Sequence, residues 1–100
     1  MAKKSFVKVI DERFIVPSSK GGGVIKFEAW EHNDKIVKYS MVYINKNIFP
    51  KDNGRVVGYD NSHNFHHKHY LGNILEVEDF KNYKDLVQRF KNDLREFIKW

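Results

Sequence analysis

The last quarter of the chain limits the fold more than any other segment. Tyr83, Leu86, Val87, Phe90, Leu94, Phe97 and Ile98 recur at the spacing of three, four and seven that lines one side of an α-helix. Asn82 is placed as N-cap, with Asp85 three residues on as a weak capping box. Lys84, Arg89, Lys91, Arg95 and Lys99 fall on the outer face. A helix with one apolar face must bury it against something, and nothing upstream has helical periodicity. Upstream the pattern is that of strands, so the helix needs a sheet.

Lys35 to Asn45 is the longest strand candidate, rich in β-branched and aromatic residues. Val37, Tyr39, Met41 and Tyr43 share one face; Ile36, Lys38, Ser40, Val42 and Ile44 share the other. Both faces are largely apolar or aromatic, as in a central strand. Val24 to Glu31 alternates, with Ile25, Phe27 and Ala29 opposite Lys26, Glu28 and Trp30. His32-Asn33-Asp34 is a turn signal, and Arg55 to Asp60 forms a further strand, with Arg55, Val57 and Tyr59 on one side. At the start, Ser5 to Ile10 is expected as a strand, Asp11-Glu12 as a turn and Arg13 to Val16 as a second strand. Residues 17–23, PSSKGGG, are expected as a flexible loop. The fold class is α+β: an antiparallel sheet of four to six strands with a C-terminal amphipathic helix packed on one face. One hundred residues fit a single domain, 1–100.

No apolar run approaches the roughly 20 residues of a membrane helix, and no apolar stretch follows the lysines of MAKKSFVKVIDERF as a signal peptide requires. A cytoplasmic protein with no membrane partner is expected. The chain has no cysteine, which excludes disulfides, thiolate metal sites and a thiol nucleophile. Its net charge of +5 favours acidic partners, nucleic acid first. Residues 52–80 are the exception, with Arg55 and Lys68 against Asp52, Asp60, Glu76, Glu78 and Asp79.

Four of the five histidines, His63, His66, His67 and His69, lie in that acidic stretch, within YDNSHNFHHKHYLG (59–72). Nearby carboxylates would favour charged imidazolium. If residues 63–69 are extended, His63, His67 and His69 share one face with Phe65, and His66 and Lys68 take the other. Three imidazoles with Asp60 could ligate a divalent metal, but no HExxH, DxDxDG or paired cysteine accompanies them. No metal or other cofactor is therefore expected. Metal-independent ribonucleases use paired groups of near-neutral pKa: one takes the proton of the ribose 2′-OH, the other protonates the leaving 5′-oxygen, and a cation steadies the phosphorane. His66, His67 and His69 could supply the pair, Arg55 or Lys68 the cation, and Asp60 an orienting carboxylate. Tyr39, Tyr43 and Tyr59 could stack on bases, although tyrosines on strands are more often packing residues. Histidines in an Asn- and Gly-flanked loop are usually just solvated.

Trp30, KYSMVYINK (38–46), GRVVGYDNSHNFHHKHYLG (54–72) and the final helix together resemble the TumE-like toxins of prokaryotic toxin–antitoxin modules. In that family a strand ending in Arg-x-x-x-Tyr-Asp-Asn leads into an H-x-H segment and a glycine. Arg55, Tyr59, Asp60, Asn61, His67, His69 and Gly72 match those positions, with His66 adjacent. The resemblance covers residues 24–98; the strand or hairpin and Gly-rich loop of 1–23 add nothing to it, and NIFPKDN (47–53) is longer than the pattern. It implies the toxin of a type II toxin–antitoxin system, silenced by a helix-turn-helix antitoxin and directed at RNA or translation. Combined with the histidine cluster, this makes a small metal-independent endoribonuclease the expected function. Its catalytic residues would be His66, His67, His69 and Asp60, and its substrate-binding residues Arg55, Tyr59 and Lys68. A non-catalytic module binding nucleic acid or a partner, and a metal-dependent nuclease using His63, His67, His69 and Asp60, stand as alternatives. A homodimer is also open.

Overall fold

The computed structural model describes residues 5–99; the basic start of the signal-peptide argument, Met1–Lys4, lies outside them. Among the described residues, six strands form one antiparallel sheet: β1 (Val7–Ile15), β2 (Val24–His32), β3 (Lys35–Ile44), β4 (Arg55–Asp60), β5 (His67–Tyr70) and β6 (Asn73–Glu76). Each strand pairs with the next in sequence, so spatial order and chain order coincide. The α-helix α1 (Tyr83–Leu94) packs on β3 and β4. Asn82 caps it as the sequence implies, its side chain accepting from the Asp85 backbone N–H at 2.8 Å.

The period-two pattern of β2 and β3 places the core. Ile25 and Ala29 from β2, Tyr39, Met41 and Tyr43 from β3, and Val57 and Tyr59 from β4 are buried with Leu86, Phe90, Leu94 and Ile98. Phe90 is the pivot, edge-to-face with both Phe27 and Tyr59. Tyr39, Tyr43 and Tyr59 are thus packing residues, closed to a stacked base. The β2–β3 turn uses positive φ at Asn33 and Asp34, residue types that tolerate it.

Two local expectations are corrected. β1 runs unbroken through Asp11 and Glu12, which pair with Glu28 and Phe27; its irregularity is a bulge between Lys8 and Ile10. On an edge strand both charges reach water, so they do not force a turn. The loop of residues 17–23 is tied down from several sides. Val16 N–H donates to the Gly23 carbonyl, Tyr43 Oη to Gly22, Asn45 Nδ2 to Gly21 and Lys99 N–H to Lys20. Gly23, at φ 94°, lets this happen: a Cβ there would meet the Ile44 carbonyl oxygen at 2.5 Å.

Candidate active site

β4 and β5 build the site on the sheet face opposite α1. Asp60 pairs across the ladder with His67, and Gly58 with His69, so the three polar side chains emerge together. Alternation sends Lys68 and Tyr70 to the helix side.

Asp60 is the hub. Its Oδ1 accepts from Ser62 N–H at 3.0 Å and Ser62 Oγ at 2.7 Å and lies 2.8 Å from His67 Nε2; its Oδ2 accepts from His69 Nε2 at 3.1 Å. The Ser62 contacts form an Asx-type turn, legible in Asp60-Asn61-Ser62 but missed in the sequence reading. Burial raises the Asp60 carboxyl pKa, yet the two Ser62 bonds and the adjacent histidines prevail and hold it below its usual range.

The two histidines differ. His67 is buried, and its other nitrogen, Nδ1, faces the Phe65 carbonyl at 3.1 Å. Both of its nitrogens therefore face oxygen acceptors, and the ring is fully engaged. His69 donates through Nε2 to Asp60, which leaves Nδ1 as the lone-pair nitrogen of the neutral ring. Among the described residues Nδ1 has no protein partner, and no buried side-chain nitrogen or oxygen lacks one, so Nδ1 is reached by solvent. Burial lowers the pKa of His69, and the nearby Arg55 guanidinium lowers it further, against the pull of Asp60. The acidic setting does not produce the raised pKa that composition alone suggested.

Arg55 reaches this face through a bulge. Tyr43 pairs with Val57 but Ile44 pairs with Arg55, so Val56 is an extra residue. Arg55 then lies beside Val42 and Ile44 and is held by Asp52 at 2.8 and 3.0 Å.

Three other candidate residues lie on the helix side. Tyr59 is buried and donates to Asp93 at 2.5 Å, and Lys68 pairs with the same carboxylate at 3.1 Å. His66 stacks on Phe80 at 3.5 Å between ring centroids, and its Nδ1 is 2.8 Å from Tyr39 Oη. It lines a cavity of about 700 Å³ that also contains Tyr83 and Lys35 but not Asp60, His67 or His69. Burial lowers its pKa as well. His63 sits exposed in the turn Ser62–Asn64, outside the strand. The structure thus brings together Asp60, His67, His69 and Arg55, and separates them from His66, Tyr59 and Lys68. Asp93, which answers both Tyr59 and Lys68, had no signal in local sequence.

The family model for toxin TumE matches residues 8–98, nearly the whole described chain. The chain belongs to the TumE toxin family. The match begins inside β1, so the family domain takes in the first strand, which the resemblance over 24–98 had left out. No curated protein and no solved structure matches the chain. A toxin of this kind implies an antitoxin partner. Among the described residues no helix is long and apolar enough to cross a membrane.

Proposed function

We propose that this TumE-family toxin is an endoribonuclease of a type II toxin–antitoxin system, that its chemistry is metal-independent, and that its cognate antitoxin is a helix-turn-helix protein. One observation carries the reading: an imidazole whose Nε2 donates to a half-buried carboxylate, which leaves Nδ1 as the lone-pair nitrogen, without a protein partner among the described residues and not sealed from solvent. That is the disposition of a general base. His69 Nδ1 takes the proton of a ribose 2′-OH as that oxygen attacks the adjacent phosphate. Arg55, on the same sheet face and near enough to lower the His69 pKa, supplies the cation for charge growing on the phosphorane. Asp60 sets the tautomer, and His67 and Ser62 hold Asp60. The leaving 5′-oxygen takes its proton from water, because His67 is engaged at both nitrogens and His66 is on the other face.

A second reading has its own support. The ligand atoms of Asp60, His67 and His69 lie within 4.8 Å of one another. His67 also donates its remaining N–H to a backbone carbonyl, as metal-bound histidines commonly do. One experiment separates the two: incubation of the purified protein with total RNA, with and without EDTA, beside His69→Gln. Cleavage that survives EDTA and is lost in the variant supports the base mechanism. Cleavage abolished by EDTA assigns the three side chains to a divalent ion. A folded parent that leaves RNA intact refutes both.

A further inference from the structure

The sheet is wider than its cover. Six strands at about 4.8 Å spacing span about 24 Å between the outer strands, whereas a helix with its side chains is about 10–12 Å across. α1 sits on β3 and β4. The helix side of β1 and β2 is left as a groove of about 660 Å³ alongside the C-terminal half of α1. Its floor is Phe14, Ile25 and Phe27, and its far wall is Leu94 and Ile98. At its edge Phe14 is 48% exposed and Ile15 77%, large costs for apolar side chains facing water.

The rim is basic: Lys20 at one end, Lys91 and Arg95 along the helix. None of the three enters an ion pair among the described residues, whereas Arg89 on the same helix is tied to Asp79 and Asp85. The groove therefore offers apolar surface below and unanswered positive charge beside it. A second copy of this chain fits poorly, because its own α1 would bring Lys91 and Arg95 against the same charges.

We infer that this groove seats an amphipathic helix of a protein partner, apolar residues against Phe14 and Phe27 and carboxylates against Lys20, Lys91 and Arg95. Such a helix lies next to α1 and completes a two-helix layer over the sheet. The inference rests on the toxin having a protein antitoxin, and is independent of the RNA chemistry.

The test is calorimetric titration of the purified chain with the antitoxin encoded beside it. It is run on the parent, on Phe14→Glu/Ile15→Glu and on Lys91→Glu/Arg95→Glu, each checked for an unchanged melting curve. Each double variant should weaken the complex by about tenfold or more, as loss of anchors at an interface centre does. Raising salt from about 0.1 M to about 1 M should weaken the parent complex and affect Lys91→Glu/Arg95→Glu much less. Parent-like affinity in both variants overturns the inference, as does a parent that forms no complex. So does a chain that is dimeric alone and becomes monomeric on Phe14→Glu/Ile15→Glu, since the occupant is then a second copy. RNA cleavage is scored separately and should be unchanged in both variants. A chain that binds through the groove but cuts no RNA loses the nuclease reading and keeps this one.

Discussion

Replacing Asp60 with alanine should destabilise the fold more than any other single change at the site. Three donors lose their acceptor at once, the His69 imidazole, a hydroxyl and a backbone N–H, and the His67 ring loses the carboxylate beside it. His67 is only 4% exposed, so water cannot readily take the place of the carboxylate. Leaving a buried donor without its acceptor costs about 1–3 kcal/mol for each group. The Asp60 side chain is 16% exposed, so water answers some of them and the expected loss is about 3 kcal/mol. For a domain of this size that lowers Tm by roughly 12–24 °C. Urea unfolding at pH 7, followed by circular dichroism, measures it directly. Asp60→Asn keeps one acceptor and should lose about 1–2 kcal/mol. The sign with pH follows from the depressed Asp60 pKa. The contribution is complete above the unfolded value, about 3.9, and is lost as pH falls through the lower folded value. The gap between parent and Asp60→Ala should therefore close in acid. An alanine variant within about 1 kcal/mol of the parent at pH 7 would refute the hub role of Asp60. It would also show that loss of activity in that variant reports chemistry, not folding.

Cleavage should rise with pH through the lowered pKa of His69, along a limb that lies below that of an ordinary imidazole; Arg55→Gln should move that limb to higher pH, because it removes a cation that lowers the pKa. A pH–rate profile of the variant that coincides with the parent's would remove Arg55 from the site. Phe90→Ala should cost about 3–5 kcal/mol by opening the junction of Phe27 and Tyr59, read by chemical denaturation. Asn82→Ala should cost about 1 kcal/mol through its lost cap, visible as a lower urea midpoint. Gly23→Ala should lower Tm by strain against the Ile44 carbonyl, whereas an unchanged melt would mean that the loop can shift aside.

Much of the architecture is written in short-range patterns. The helix, its Asn82 cap and the two-faced β3 are legible because each depends on residues within a few positions of one another. Strand alternation likewise separates His67 and His69 from His66 and Lys68. Other features depend on pairing between distant residues. Arg55 reaches the histidine face only because of the bulge at Val56, which is a property of the β3–β4 register and not of either strand alone. Tyr59 and Lys68 look like ligands for phosphate until Asp93, on the helix, takes up both. The charged Asp11-Glu12 resembles a turn because charge pattern cannot distinguish a reversal from an exposed edge strand.

Nearest-neighbour pairing of the strands has a kinetic consequence for the site. Amide exchange should be slowest in β3 and β4 beneath the helix and faster toward both edges, since each outer strand is held from one side only. β6 is exposed along its whole length and is the sole outer neighbour of β5. Opening of β6 should leave β5, with His67 and His69, paired to β4 alone, while Asp60 stays on a strand paired on both sides. Exchange in β5 faster than in β4 would place the carboxylate and its two imidazoles in units of different local stability, one anchored beneath the helix and one nearer the edge.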